Sequence, residues 1–209
     1  MKSISMKMVF IGVKQLICED KIVEYLQSAL SKKRYDHSIH VANKAVELAK
    51  IYGSDIHKAR LAGLVHDCAK EMAKDELIYF IKLEGNEPDS VSLVEKELLH
   101  GPAAVYLCKN KFHIEDEEIL SAVQFHTTGK ANMSILDKII YISDLIEVGR
   151  KFPEVEELRN LAIVDINSAL IKSFDATISY IIQKRRMIHP DTINARNYLL
   201  RNLKNGDEK

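Results

Sequence analysis

His66 and Asp67 stand side by side in LVHDCAK, residues 64–70, where an apolar run ends abruptly. Leu61, Leu64 and Val65 recur at helical spacing, so the pair leaves the end of a helix whose other side faces the core. An imidazole and a carboxylate are thereby carried toward the interior. Polar groups there need partners, either hydrogen bonds or a divalent cation. A His-Asp dipeptide alone does not choose between the two, and the choice falls to the elements around it.

Those elements are helical almost throughout. Ile22, Val23, Leu26 and Leu30 share one face of a first helix over 19–30, with Glu19 and Asp20 at its start. In RYDHSIHVANKAVELAKIYG, residues 34–53, the stripe His37, Val41, Ala45, Leu48 and Tyr52 puts His37 on the buried face, and Gly53 can close the helix. Ser54 and Asp55 cap a helix that runs to His66, CAKEMAK reads as a loop, and DELIYFIKLEG is a helix stopped by Gly85. The stretch from Pro88 to Leu93 is polar and turn-rich. His100 then precedes Gly101 and Pro102, a helix start continuing through Val105, Leu107 and Cys108.

Glu115 to Glu118 open a further helix in which Ile119, Ala122, Val123 and His126 share a face before Thr127, Thr128 and Gly129 end it. Ser134 caps the next, where Leu136, Ile140 and Asp144 are four apart, so Asp144 emerges from the buried side. Past a break at Phe152 and Pro153, helices are expected near 154–161, 165–186 and 191–203. No β-alternation exceeds a few residues, and no internal repeat appears. An all-α domain is expected over 19–209, preceded by an extension, 1–18, whose short apolar run Met8 to Val13 reads as a strand, a frayed tail or an upstream start.

Composition narrows the function. At 209 residues the chain has room for one sizeable core. Lys plus Arg equals Asp plus Glu at 30 each, so no global field draws nucleic acid or anionic lipid, and aromatic residues, at 7%, do not interleave with a basic stripe. No segment approaches the roughly 18 apolar residues of a membrane span. Cys18, Cys68 and Cys108 are odd in number and widely spaced, which argues against a disulfide framework or thiolate zinc site and for a cytoplasmic, reducing setting. Cys68 is read as packing.

His37, His66, Asp67, His100, His126 and Asp144 thus all stand at the ends or on the buried faces of separate helices. Independent packing histidines have no reason to recur at helix ends, so the order H, HD, H, H, D points to a shared centre. Mixed imidazole and carboxylate donors suit iron, manganese or zinc and not calcium or magnesium.

RYDH, LVHDCAK, LLHGPAA, QFHTTGK and IIYISDLIEVGR resemble the successive motifs of the YqeK-like branch of the HD-domain superfamily, over about residues 34–195. The resemblance implies an HD-domain helical bundle with two divalent transition-metal ions, iron preferred, that hydrolyses diadenosine tetraphosphate symmetrically to two ADP. It implies that His37, His66, Asp67 and Asp144 hold one metal, and that His100, His126 and a shared Asp67 hold the second. Two carboxylates against two divalent cations leave a surplus of about two positive charges for a polyphosphate, before any hydroxide is counted. A water acidified by those cations is the expected nucleophile, with Asp67, Lys70 and Arg150 as catalytic groups.

Around the metals, the resemblance makes Lys70 and Arg150 phosphate contacts, where the plain reading is solvated charge. Arg34 is a third cation attached to the same motifs. Thr127 and Thr128 are expected to donate to phosphate oxygens or to cap a turn, and Glu147 to hold Arg150 or a ribose. The chain departs from the family pattern at Val148, where a proline is usual, and at His40, where a small residue is usual. His40, His57, His113 and His189 are read as structural or surface residues, and Lys184, Arg185 and Arg186 as a solvated helix end or a rim contact to phosphate. Competing readings are another HD-type phosphohydrolase, of nucleoside monophosphates or cyclic dinucleotides, and a nucleotide-binding regulatory module without catalysis. The sequence leaves the oligomeric state open, a homodimer included.

Overall fold

Glycine and alanine decide how the helices that carry the site can approach one another. Ala42, Ala45 and Ala49 line one face of α2 (Lys32–Tyr52), opposite Ala59, Ala62 and Gly63 of α3 (Ile56–Val65), and all are buried. A β-carbon added at Gly63 would stand 2.7 Å from Ala42 Cα and 2.9 Å from Ala42 N, so α2 and α3 meet backbone to backbone. Gly63→Ala is therefore expected to force the pair apart at a cost of about 2–3 kcal/mol. Thermal denaturation would read this as a fall in Tm of roughly 5–10 °C.

The computed structural model describes residues 19–206, and among them there is no strand. The expectations for 1–18 lie outside the described residues. In chain order, α1 (Glu19–Ala29), α2 and α3 are followed by α4 (Lys74–Leu83), α5 (Ser90–Val94) and a 3-10 turn at Lys96–Leu98. Then come α6 (His100–Asn110), α7 (Glu117–Gln124), α8 (Ile135–Ile146), α9 (Val155–Val164), α10 (Ile166–Gln183) and α11 (Pro190–Gly206). The all-helical expectation holds. One difference is α5: Asp89 accepts from the Val91 and Ser92 amides and nucleates a short helix where the polar composition reads as turn.

The centre of the bundle is α8, packed against α2, α3, α7, α9 and α10. Leu136, Ile139, Ile140, Tyr141, Ile142 and Ile146 are buried around its whole circumference, the pattern of a core helix rather than an amphipathic one. Ser134 and Asp137 cap each other's amides at its start. Side-chain oxygens fix other helix starts as well: Asp55 takes the His57 and Lys58 amides, and Asp116 takes those of Glu118 and Ile119. Gly53, at φ 66°, ends α2 in the left-handed conformation that favours glycine.

Two ties set the entrance to the site. Ser31 donates both its amide and its hydroxyl to Glu71, at 2.6 Å each, joining the start of α2 to the turns after α3. In those turns the Lys70 amide donates to the backbone carbonyl of Asp67 at 2.9 Å, so CAKEMAK begins in a turn folded back on the residue before it. Between α6 and α7 a β-carbon at Gly101 would lie 2.6 Å from Gln124 O. The segments bearing His100 and His126 are thus held face to face.

Candidate metal centre

Three of the four imidazoles in the cluster are aimed by an acceptor on the far nitrogen. His66 Nδ1 lies 2.7 Å from Gly63 O and His126 Nδ1 lies 2.7 Å from Val123 O, each carbonyl one turn back along its own helix. A carbonyl only accepts, so both Nδ1 atoms carry the proton and both Nε2 atoms present a lone pair. His37 Nδ1 lies 3.2 Å from Glu147 Oε1, and a carboxylate imposes the same tautomer there. The chain has preset three rings with their lone pairs facing inward.

They face two carboxylates. His37 Nε2 is 2.9 Å from Asp144 Oδ1 and 3.7 Å from Asp67 Oδ2, while His66 Nε2 is 3.5 Å from Asp67 Oδ2. His37 Nε2 and His66 Nε2 are buried and lack a hydrogen-bonding partner. On the other side of Asp67, Oδ1 is 2.9 Å from His100 Nε2 and 3.5 Å from His126 Nε2. The two Nε2 atoms are themselves 2.8 Å apart. Two imidazole nitrogens and a carboxylate oxygen converging this closely in a buried place call for a shared proton or a cation between them.

Donor atoms of His37, His66 and Asp67 lie within 4.8 Å of one another, as do those of His66, His126 and Asp144, and of Asp67, His100 and His126. The donor set, the inward lone pairs and the unpartnered buried nitrogens fit a centre for divalent transition metals. His66, Asp67, His100 and His126 are nearly inaccessible to solvent.

Electrostatics keep the two carboxylates and His100 in their ligating forms. Burial acts to raise the Asp144 carboxyl, but the His37 imidazole against it and the Arg150 charge outweigh this and hold it well below the usual carboxylate range. Asp67 is likewise held low, since in the metal-free cluster burial is overcome by the surrounding imidazoles, His66 first, when they carry a proton where a cation would stand. Burial pushes His100 down to about 4, assisted by His126 and Lys70 and opposed by Asp67. The carboxylates stay ionised and His100 stays neutral near pH 7.

The cations expected around the centre do adjoin it. Arg34 Nη1 lies 2.7 Å from Asp67 Oδ2. Arg150 donates from Nε to Asp144 O at 2.8 Å and from Nη2 to Asp144 Oδ1. Lys70 Nζ is 3.1 Å from Glu97 Oε2 and 3.4 Å from His100 Nδ1. Arg186 is taken up by Glu95 and His189 pairs with Asp89 at 3.1 Å, so neither is a free rim cation.

The hydroxyl candidates stand elsewhere. Thr128 donates to Gly129 O, while Thr127 Oγ1 is buried without a partner. Both line a cavity of about 280 Å³ with Asp89, Ser92, Pro102 and Val105.

Glu147 is buried at 3% exposure, with Oε1 toward His37 and Oε2 3.2 Å from His40 Nδ1, and it accepts the Gly149 amide. Arg150 Nε is 3.8 Å from it, a loose contact beside the closer ones. Sequence reasoning missed three residues here. Arg159 donates to Ile146 O at 2.8 Å, Glu147 O at 2.6 Å and Arg150 O at 3.1 Å, pinning the turn after α8. Gly149 leaves room for the carboxylate, since a β-carbon there would be 3.0 Å from both Glu147 oxygens. His40 completes the group. Its position three residues after His37 was the one available signal.

Comparison with known proteins bears on the same residues. Residues 34–149 match the HD domain model. A symmetrical bis(5'-nucleosyl)-tetraphosphatase of Halalkalibacterium halodurans is 42% identical over 86% of this chain and 96% of its own length. The protein of the same description in Bacillus subtilis is 38% identical over 84% of this chain and 94% of its own. The crystal structure of a Clostridium acetobutylicum protein, described as a predicted HD superfamily hydrolase involved in NAD metabolism, superposes with a TM-score of 0.87. It is 49% identical and covers 88% of this chain and 98% of its own.

Proposed function

Since the chain belongs to the HD-domain family and, within it, to the symmetrical bis(5'-nucleosyl)-tetraphosphatases, we propose that it hydrolyses diadenosine tetraphosphate to two molecules of ADP. The observation that carries this reading is the convergence of four imidazoles and two ionised carboxylates in one buried cluster rimmed by Arg34, Lys70 and Arg150. Two cations are assigned: one to His37, His66, Asp67 and Asp144, the other to His100, His126 and the shared Asp67. Iron is the favoured metal, with manganese and zinc as alternatives for the same donors. When bound, such cations acidify a coordinated water toward neutrality and offset phosphate charge.

The rest of the reaction belongs to the chain. Water oxygen attacks one central phosphorus, the bridge to the other central phosphorus breaks, and the bridging oxygen leaves with the second ADP. The attacking water gives up its proton to solvent, leaving two ADP. No side-chain nucleophile is needed, because diphosphate is already a stable anion at neutral pH. What the leaving group requires is compensating charge, which Arg34, Lys70 and Arg150 supply from the rim. His37, His66 and His126 hold their protons on Nδ1, through Glu147 and two carbonyls, so their Nε2 atoms stay free to ligate.

Among the described residues no helix is long and apolar enough to cross a membrane. Cys68 and Cys108 are free and buried, which supports a reducing compartment, and we place the reaction in the cytoplasm.

The test is an anaerobic incubation of iron-reconstituted protein with diadenosine tetraphosphate, products separated by chromatography beside a His66→Ala control. ADP alone, absent in the control, is expected. ATP plus AMP would show attack at a different phosphorus. Full metal occupancy without turnover would put the regulatory module first.

A further inference from the structure

We propose that Glu147 is a positioning residue for His37, with the Gly149 amide as the second donor that keeps its carboxylate in place beside His40, and that it does not contact substrate. This rests on the reading of the cluster as a metal centre, but on residues outside the ligand set.

The geometry begins in the turn after α8. Arg159 fastens the carbonyls of Ile146, Glu147 and Arg150, and the Arg150 amide donates to Glu147 O at 3.0 Å, so the backbone of the turn is tied from both sides. Gly149 lets the Glu147 side chain fold back over the turn, where its own amide meets Oε2. The carboxylate is thereby driven inward against α2. There His37 and His40, almost one helical turn apart, each present Nδ1 at 3.2 Å.

A buried carboxylate is satisfied only by donors: Oε2 takes the Gly149 amide and Oε1 holds the His37 imidazole with Nδ1 protonated. His40 stands beside Oε2 with its side chain partly exposed. For His37 that proton decides everything: the lone pair is left on Nε2, beside Asp144 and Asp67. With both oxygens occupied and 3% exposure, Glu147 has nothing to offer a ribose. From the same turn Arg150 holds Asp144, so one short segment aims two donors of one cation.

The test uses the full chain, cobalt(II) as the only added ligand, and no substrate. Isothermal titration of Glu147→Ala should show cobalt binding weakened about 10–100-fold, the usual effect of removing a group that orients a ligand. In the metal-free protein, nitrogen-15 NMR of the imidazoles should show His37 leaving the Nδ1–H form. Glu147→Gln keeps an acceptor for His37 and should restore both readouts to near the wild-type values. A generic packing role would not show that rescue.

Gly149→Ala, which crowds the carboxylate without removing it, should weaken cobalt binding in the same direction and decides the matter if Glu147→Ala does not fold. Wild-type cobalt affinity and an unchanged His37 tautomer in Glu147→Ala or Gly149→Ala would overturn the assignment. These changes in the variants, found together with a metal-loaded wild-type protein that fails to cleave diadenosine tetraphosphate, would sustain the positioning role and sink only the hydrolase reading.

Discussion

Asp67→Asn should lower kcat/KM for diadenosine tetraphosphate by roughly a thousandfold or more, at least about 4 kcal/mol of transition-state stabilisation. Asp67 is singled out because its two oxygens face different sets of imidazoles, Oδ1 toward His100 and His126 and Oδ2 toward His37 and His66. An amide has nearly the same shape but no charge, and its nitrogen would point a donor where a lone pair is needed. Both halves of the centre should weaken together, whereas loss of a single imidazole would spare one half. Compared metal-free with metal-free, the fold should be little affected, because Arg34, the outer partner of Asp67, can turn to solvent from its partly exposed position. Steady-state kinetics beside a thermal melt checks this. A variant with intact turnover and full metal content would remove Asp67 from the shared position.

Stripping the divalent cations should abolish turnover and also loosen the fold. Binding to the folded state alone stabilises by about 4 kcal/mol when free metal exceeds its Kd a thousandfold. For a chain of this size that corresponds to roughly 8–16 °C in Tm. The sign follows from the metal-free cluster, in which buried imidazoles and carboxylates crowd together and only protons and the flanking Arg34 and Arg150 relieve them.

The same crowding gives a pH dependence. Burial acts to lower the His66 pKa, but the Asp67 and Asp144 charges outweigh it and raise it above 6.5. Protons therefore compete with the cation for His66 increasingly as pH falls, and metal affinity should fall with it. Calorimetry with and without chelator, repeated after return of iron, manganese, zinc or magnesium, is the measurement. Recovery should follow the transition metals and not magnesium. A chelated protein with its full rate would remove metals from the mechanism.

What the sequence makes legible here is whatever repeats locally. His66 and His126 each close an apolar stripe, and each takes its orientation from a carbonyl three residues back, so helical periodicity alone points to both. Asp144 follows from its spacing to Leu136 and Ile140 in the same way. Glu147 is the opposite case. Its partner His37 is 110 positions away, and a glutamate beside an arginine in a turn reads as a surface pair until α2 and α8 are packed together. Arg159 and Gly63 were hidden for the same reason, since one acts on carbonyls of another element and the other through an inter-helix gap. The short α5 was missed because a five-residue helix has too few turns to show a period.

The span from His37 to Asp144 also fixes when the centre can come into being. During synthesis α2 and α3 can pair early, but the pocket stays open on one side until α8 has emerged and packed against both. Capture of the cation assigned to His37, His66, Asp67 and Asp144 is therefore a late event of maturation rather than a nucleus for it, and a nascent chain halted before α8 has neither Asp144 nor Glu147 to present. Cation supply would limit the yield of active enzyme without limiting the rate at which the chain collapses.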